Sequence, residues 1–188
     1  ATGALKEAYD ELKAQGRSVS SLVSAYSLKP AFLRAARELS HTVTFGGSSL
    51  GERKEELIAT VIAARLKCTF WTVNHGEFLR RQGETELEEV VALTEDWRRV
   101  ITDPAEYAML EFSEQVAGDA WKITESNIEK LRKVGFSDLQ ILEIVGAASY
   151  RVYISKFADA LGVELDDEWF TDSSDAIEAL SVGRPALK

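Results

Sequence analysis

A cysteine and a histidine are the residues of this chain whose types and spacing could do chemistry. Cys68 is the only cysteine among 188 residues, and His75 follows it by seven positions. If this segment is helical, Cys68, Trp71 and His75 lie at i, i+3 and i+7, on one face. The histidine could then take the proton of the thiol, and the first turn of a helix favours thiolate. The spacing indicates a thiol site, with Glu56, twelve residues before Cys68, as the candidate relay acid.

Each of these residues also has an ordinary structural interpretation. Cys68 has apolar neighbours, and a lone cysteine there is usually a small buried hydrophobe. His75 could simply hydrogen-bond within a helical bundle. Glu56 stands in a run of acidic and basic residues where Glu55 competes with it for the role of relay acid. A disulfide cycle would also need a second thiol, and Trp71 occupies the position where that thiol would lie.

The composition limits the classes of function. The formal net charge is −9 and the Lys and Arg residues are scattered, so we expect no nucleic-acid partner. Two histidines and one cysteine are too few for a conventional zinc site, and no organic cofactor is indicated. Hydrophobic residues make up 45% and no apolar run approaches the roughly 20 residues that span a bilayer. Without a signal-peptide pattern, we expect a cytoplasmic, single-domain protein over residues 1–188 with no membrane partner.

The pattern of apolar residues predicts an all-α protein. Only three prolines occur, and apolar residues recur mostly at intervals of three and four residues rather than two. Glycines, first-turn prolines and two serine capping boxes mark the ends of the predicted helices. These helices are about Ala4 to Gln15, Pro30 to Val43, a long helix after a capping box at Ser49 to Glu52, Cys68 to about Arg81, Glu84 to Leu93, Pro104 to Val116, Thr124 to Val134, and Ile141 to Leu161 after a capping box at Ser137 to Gln140.

A bend is required if Glu56 and Cys68 share a site. On a straight helix the twelve-residue spacing would place them about 120° apart around the axis. We therefore expect two motif helices over about 50–81, with a break near Leu66 or Lys67.

The last predicted helix is more apolar than a surface helix should be. It is expected to be central or to lie at a subunit interface, with Tyr150 and Tyr153 as core or interface aromatics. The tail, about 166–188, mixes acids with Trp169 and Phe170 and could cover a neighbouring chain or its own core.

Further motifs give the chain a resemblance to a known family. Beyond Glu56, Cys68 and His75, they are Ser27-Leu28-Lys29-Pro30, Leu50-Gly51-Glu52-Arg53, His75-Gly76, Gly135-Phe136-Ser137-Asp138 and the run from Ala158 to Glu164. In the order of helices and in these motifs the chain resembles the alkylhydroperoxidase D-like (AhpD-like) and carboxymuconolactone decarboxylase group, in its peroxidase-related branch. The resemblance covers about residues 20 to 168. It implies an AhpD-like multi-helical bundle that assembles as a homo-oligomer.

The resemblance also implies a mechanism and shows two departures from it. In the active members a glutamate and a histidine relay a proton from one of two cysteines, which attacks a peroxide, and the second cysteine resolves the sulfenic acid. Glu56, Cys68 and His75 match this pattern, but Trp71 replaces the second cysteine and Phe70 a polar relay residue. Two aromatics should make the pocket drier and raise the thiol pKa unless His75 offsets the effect.

Three functions fit these residues, and the sequence leaves open whether the chain is an enzyme. The first is a peroxidase-related, antioxidant oxidoreductase that reduces a small hydroperoxide with Cys68 and an external thiol reductant. The second is a cysteine-independent acid–base enzyme of the decarboxylase type, in which Glu56 and His75 act on a small organic acid. The third is a non-catalytic oligomeric protein whose pocket has closed over Phe70 and Trp71.

Overall fold

Helices account for the regular structure of the chain in the computed structural model, which describes residues 1–45, 47–82, 85–167 and 173–186. Within those residues there is no strand, which confirms the predicted all-α class. The described α-helices are α1 (Gly3–Ala14), α2 (Ser21–Ala25), α3 (Pro30–Val43), α4 (Glu52–Arg65), α5 (Thr69–Gln82), α6 (Leu87–Asp96), α7 (Pro104–Asp119), α8 (Glu125–Lys133), α9 (Asp138–Leu161) and α10 (Ser174–Ala179).

Local capping explains where several of these helices begin and end. The Asp103 carboxylate accepts hydrogen bonds from the backbone N–H groups of Ala105 and Glu106, which fixes the start of α7 beside its first-turn proline. Helix α9 begins with the predicted capping box of Ser137 and Gln140. It ends at Gly162, whose φ of 66° is the left-handed conformation that glycine adopts without strain.

The predicted bend between the two motif helices is confirmed. Helix α4 ends at Arg65, and Lys67 has a left-handed φ of 57°, which a side chain other than glycine rarely adopts. The backbone N–H of Cys68 then donates to the carbonyl oxygen of Ala63 at 3.0 Å. The turn lets α5 fold back against α4, so that the two helices can share a site.

Helix α4 lies at the centre of the core. Every residue from Glu55 to Ala64 is buried, because α5, α7 and α9 all pack against this helix. Helix α9 contributes Ile144, Ala148 and Ile154 to the interior. The expectation that this long helix is central is therefore confirmed, and its apolar character follows from contacts on several sides.

The start of α4 corrects one prediction. Gly51, with a φ of 86°, precedes the first helical residue, and no side chain caps the helix. Ser49 instead binds the Glu143 carboxylate through its N–H at 3.0 Å and its hydroxyl at 2.7 Å. The proposed capping box at Ser49 to Glu52 is wrong because Ser49 is held by α9 rather than by its own helix.

Other boundaries also differ from the sequence prediction. The helix expected from Glu84 begins at Leu87, and Glu84 itself lies outside the described residues. Helix α2 was not predicted. With α1 and α3 it surrounds a small cluster of apolar side chains, Ala8, Leu12, Tyr26, Leu33 and Ala36, against which Phe157 of α9 packs.

The tail contributes to the core of its own chain. Helix α10 packs against α5, and Ala176, Ile177 and Leu180 are buried. Trp169 and Phe170, the aromatic residues singled out in the tail, lie outside the described residues. The described part of the tail therefore favours the second of the two expectations, that it covers its own core.

A membrane span was not expected from the sequence. Although α9 has 24 residues, neither it nor any other described helix combines the length and apolar character needed to cross a bilayer.

Candidate functional site

Glu56 and His75 form the central contact of the candidate site. Helix α4 carries Glu56 and helix α5 carries His75, and the turn at Lys67 brings the two helices side by side. The Nδ1 atom of His75 lies 2.6 Å from Oε2 of Glu56. Only 5% of His75 and 4% of Glu56 is exposed to solvent. A short hydrogen bond between two buried titratable groups is a possible proton-transfer unit.

Two aromatic rings fix the plane of the imidazole. The ring of Trp71, one turn earlier on α5, stacks on His75 with centroids 5.2 Å apart and planes inclined by 22°. Phe45, in the segment before α4, stacks on it at 5.4 Å and 15°. The indole N–H of Trp71 donates to the carbonyl oxygen of Ile154 at 3.2 Å, which anchors the ring to α9. The histidine is therefore held by packing as well as by Glu56.

Arg151 of α9 is a second charged group in the same region. Its guanidinium carbon lies 4.6 Å from the centre of the Trp71 ring, a cation–π contact. Only 2% of the residue is exposed. Among the described residues, its Nε and Nη1 atoms have no hydrogen-bond partner, and neither does Nε2 of His75. The site thus contains buried polar atoms whose hydrogen-bonding capacity is unused.

Cys68 lies at the turn immediately before α5 and is fully buried, with 0% exposure. Its thiol donates to the carbonyl oxygen of Ser155, with sulfur and oxygen 3.7 Å apart. Burial raises the pKa of Cys68 to about 12, and the nearby Asp159 carboxylate adds to this shift, while a backbone hydrogen bond from Trp71 opposes it. The expected rise of the thiol pKa is borne out in direction, and the thiol is protonated at neutral pH.

Burial also keeps the Glu56 and His75 pair uncharged. It raises the pKa of Glu56 to about 8, against the opposing charge of Arg151 and with the help of Glu52 and Glu55. It lowers the pKa of His75 well below the usual value, and the positive charge of Arg151 lowers it further. Near neutral pH the carboxyl therefore holds its proton and donates it to Nδ1 of a neutral imidazole. In that tautomer Nε2 carries the N–H.

Arg151 keeps its charge under the same conditions. Burial lowers the pKa of its guanidinium to about 10, and the electrostatic influence of Tyr150, Glu56 and Cys68 opposes that shift. The guanidinium is thus a buried cation close to a neutral acid and a neutral imidazole. No described carboxylate forms an ion pair with it.

The structure brings two of the three predicted site residues into contact. Glu56, rather than its competitor Glu55, is the residue that reaches His75. The thiol of Cys68 is bound to α9, and its one hydrogen bond as a donor goes to a backbone carbonyl rather than to the histidine. Arg151 was not predicted from the sequence, although a lone charge inside the otherwise apolar stretch of α9 was a usable signal. Phe45 gave no comparable signal.

A groove lies next to these residues. It has a volume of about 530 Å³ and runs between the N-terminal helices α1 to α3 and the helices α5 and α9. Trp71, Asn74 and Tyr150 line its inner wall, and Arg17 and Arg37 lie along it. Since Trp71 contacts both His75 and Arg151, the groove approaches the candidate site at this ring.

The described side chains also bear on metal binding. No group of three or more His, Cys, Asp or Glu residues within the described ranges is arranged to hold a metal ion.

Comparison with known proteins shows which fold this is. No protein-family model matches the chain, and no curated protein matches it. Solved structures do match. One is the AhpD core of an uncharacterized peroxidase-related protein from Ralstonia eutropha, 21% identical with a TM-score of 0.78 over 88% of this chain and 87% of that one.

Two further structures agree with it. A peroxidase-related protein from a Silicibacter species is 22% identical, with a TM-score of 0.78 over 87% of this chain and 85% of that one. A protein from Agrobacterium tumefaciens, described as a putative antioxidant defence protein AhpD, is 23% identical, with a TM-score of 0.64 over 75% and 94%. The chain therefore has the AhpD-like fold, and the fold inferred from the resemblance is confirmed.

Proposed function

We propose that this chain is an AhpD-like, peroxidase-related protein whose chemistry is proton transfer by Glu56 and His75, with Cys68 as a structural residue. The observation that carries the proposal is the 2.6 Å contact between Nδ1 of His75 and the Glu56 carboxyl. Both groups are buried. Burial raises the pKa of Glu56 and lowers the pKa of His75, so the carboxyl and Nδ1 share one proton near neutral pH.

The pair can act as a general acid and, in reverse, as a general base. As an acid, Nε2 of His75 gives its proton to a substrate oxygen on which negative charge develops. Nδ1 then takes the proton of Glu56, so the imidazole stays neutral and the carboxylate carries the negative charge that the substrate has lost. In reverse, the carboxylate draws a proton through the ring from a substrate C–H or O–H bond. Such a relay is typically worth 10²- to 10⁴-fold in rate.

The surroundings of Cys68 support its structural role. A thiol attacks peroxide as the thiolate, and a pKa of about 12 leaves very little thiolate at neutral pH. The sulfur has no solvent exposure and is hydrogen-bonded to the backbone of α9. These features agree better with the cysteine-independent hypothesis than with peroxide reduction by Cys68.

Peroxide reduction is the second candidate, because structural neighbours are named alkylhydroperoxidase or peroxidase-related. In that mechanism the Cys68 thiolate would attack the peroxide, giving an alcohol and a sulfenic acid that an external thiol reductant would return to the thiol. It would require a movement that exposes the sulfur and lowers its pKa. The cytoplasmic location that would supply such a reductant also stays a prediction.

We also propose that the protein is a homo-oligomer, as the resemblance implies. Large apolar side chains are exposed on several described helices: Phe32 and Leu39 on α3, Phe78 on α5, and Leu139 and Leu142 on α9. Buried contacts between copies would remove such surface from water.

The test is exchange of carbon-bound hydrogen for deuterium in a panel of small carbonyl compounds and lactones, followed by proton NMR. We expect wild-type protein and Cys68→Ser to catalyse exchange equally, and His75→Gln to lose at least about 100-fold. Glu56→Gln should lose a similar factor because the amide cannot exchange its proton with Nδ1. Loss of exchange in Cys68→Ser, or hydroperoxide consumption that depends on Cys68, would instead support the second candidate.

A further inference from the structure

Three N–H donors in the candidate site are buried without an acceptor. They are Nε and Nη1 of Arg151 and, in the tautomer set by Glu56, Nε2 of His75. All three atoms belong to residues that are at most 5% exposed. In folded proteins a buried polar group nearly always has a partner, and a buried charge nearly always has a counter-charge. Three unused donors on two side chains that both contact Trp71 therefore need an explanation.

The neighbouring residues do not supply the missing acceptor. Trp71 contacts both side chains, but its ring offers only its π-face to the guanidinium. Glu56 is an acid whose charge acts on Arg151, yet its carboxyl is hydrogen-bonded to His75 and forms no ion pair with Arg151. A purely structural buried arginine would be paired, because an unpaired buried charge strongly destabilises the fold.

We propose that Arg151 and His75 form a binding site for a small carboxylate, which accepts hydrogen bonds from the guanidinium and from the imidazole N–H. Nε and Nη1 lie on different edges of the planar guanidinium, and each can give one charge-assisted hydrogen bond to a carboxylate oxygen. This inference rests on the proposed function, since it places the substrate's charged group beside the proton that His75 transfers. It adds Arg151 as the residue that binds the charged group of the small organic acid.

The groove beside the site has the charge that such a ligand would need. The chain as a whole carries a net charge of −9, yet Arg17 and Arg37 both line this groove. Burial lowers the pKa of Arg37, and the charge of Arg17 lowers it further, so the two cations are near each other. Two cations that line the groove and a third beside Trp71 would attract an anion despite the negative net charge of the protein.

Trp71 connects the groove to the donors, because it lines the groove and also contacts Arg151 and His75. Since both donor residues are at most 5% exposed, the proposal is restricted to small anions. Formate and acetate are the simplest probes of that chemistry.

The presence of two histidines makes the test direct. His75 is buried, whereas His41 lies on the exposed end of α3 and serves as an internal control. Acetate is titrated into ¹⁵N-labelled protein at constant ionic strength, and both imidazoles are followed by NMR. We expect Nε2 and its proton in His75 to shift and saturate with a Kd of about 1 mM, while His41 does not move. Acetamide, which has the same shape and no charge, should leave both unchanged.

Variants assign the binding to the guanidinium. Arg151→Met keeps the length of the side chain and removes the charge, and should weaken acetate binding by about 30-fold. Arg151→Lys keeps the charge without the planar set of donors and should weaken acetate binding by about 5-fold. Arg34→Gln, which alters an exposed arginine of α3 that pairs with Glu11, is the matched control and should not change the affinity.

The proposal is overturned if the His75 signals stay fixed up to about 100 mM acetate, about a hundredfold above the expected Kd. It is also overturned if acetamide produces the same shifts or if Arg151→Met binds acetate as wild type does. If Arg151→Met does not fold, the comparison of acetate with acetamide on the wild-type protein still tests the proposal. Loss of acetate binding with intact deuterium exchange would remove only this inference. Binding without exchange would remove the proposed function and leave the anion site.

Discussion

Two buried glutamates, Glu56 on α4 and Glu77 on α5, have opposite electrostatic environments. Glu77 is 1% exposed and accepts hydrogen bonds from Arg80, Arg81 and the Ser173 hydroxyl at 2.7 to 2.8 Å. Burial alone would raise its pKa, but these donors hold the pKa of Glu77 at about 2. Glu56 is equally buried and contacts one neutral imidazole, so burial raises its pKa to about 8.

The difference shows that donors, rather than depth of burial, decide what a buried carboxyl does. Glu77 is always ionised near neutral pH, and its bonds to Ser173 connect α5 to the tail. Glu56 changes protonation close to neutral pH, so it can exchange a proton at little cost in free energy. The first cluster stabilises the fold, whereas the second is suited to chemistry.

Removing the charge of Glu77 should have the largest effect on stability. In Glu77→Gln, Arg80 and Arg81 lose their shared counter-charge, and we expect the free energy of unfolding to fall by about 2–4 kcal/mol. Urea denaturation measures this loss. Because the folded pKa of Glu77 is below the unfolded value, its contribution is complete above about pH 4.5 and is lost only as the pH falls toward 2.

The loss in free energy of unfolding caused by Glu77→Gln should therefore stay constant between about pH 5 and pH 9. Glu88→Gln, at an exposed position of α6, is the matched control and should change stability by less than about 0.5 kcal/mol. A deficit no larger than that of the control would mean that the cluster does not stabilise the fold.

Glu56→Gln should show the opposite dependence on pH. The folded pKa of Glu56 is above its unfolded value of about 4.5, so its contribution is complete below pH 4.5 and is lost as the pH rises through about 8. Glutamine imitates the protonated acid and does not titrate. We expect similar stabilities for variant and wild type at about pH 5, and a variant more stable by about 2–4 kcal/mol at about pH 9.

The difference between Glu56→Gln and wild type is the quantity to measure, because the titration of Cys68 and of the unfolded histidines cancels from it. The charge of Arg151 lowers the pKa of Glu56, while Glu52 and Glu55 raise it. Both effects are included in the wild-type pKa of about 8. A pH-independent difference would mean that Glu56 is ionised in the folded protein, and the neutral pair would then be wrong.

Gly76, between His75 and Glu77 in α5, separates the two regions. A Cβ atom there would lie 2.8 Å from Cδ1 of Leu180 and 3.1 Å from Cγ1 of Val90, both on the side of the tail and α6. Gly76→Ala should lower the free energy of unfolding by about 1–3 kcal/mol through overpacking. The His75 imidazole signals should stay in place, which NMR can check.

Gly118→Ala is the control for this substitution, because a Cβ atom at that position of α7 meets no atom within 4 Å. Alanine should there stabilise the helix by about 0.5–1 kcal/mol. If Gly76→Ala shifts the His75 signals as much as it lowers stability, the two regions are not separate.

The comparison also shows what a sequence can predict. Helix periodicity and caps are local properties of the chain, and they predicted most of the helices. The bend near Leu66 or Lys67 was predicted from a shared site of Glu56 and Cys68, and the structure has the bend although the Cys68 thiol is hydrogen-bonded to α9. The choice of Glu56 over Glu55 followed from the resemblance, and the structure supports it with the contact to His75. The position of Ser49 could not be predicted, because its partner Glu143 is 94 residues away in the sequence.

The chemical state of the site was harder to predict than its members. Whether Cys68 faces His75 or α9 depends on side-chain packing, which the spacing in the sequence does not define. Arg151 appears in the sequence as one charge in an apolar helix, and only its position over Trp71 relates it to the site. Glu56 and Glu77 are the same residue type, and only three-dimensional contacts separate a pKa of about 8 from one of about 2.

The reactivity of Cys68 in the folded protein tests the proposed function most directly. Reduced, folded protein is exposed briefly to substoichiometric alkyl hydroperoxide with dimedone as a trap for sulfenic acid, and its intact mass is measured. We expect no adduct at Cys68, and alkylation by iodoacetamide only after unfolding in urea, because the thiol is buried and protonated. A rapid dimedone adduct in the folded protein, weakened by His75→Ala or Glu56→Gln, would contradict it and establish Cys68 as the reacting group.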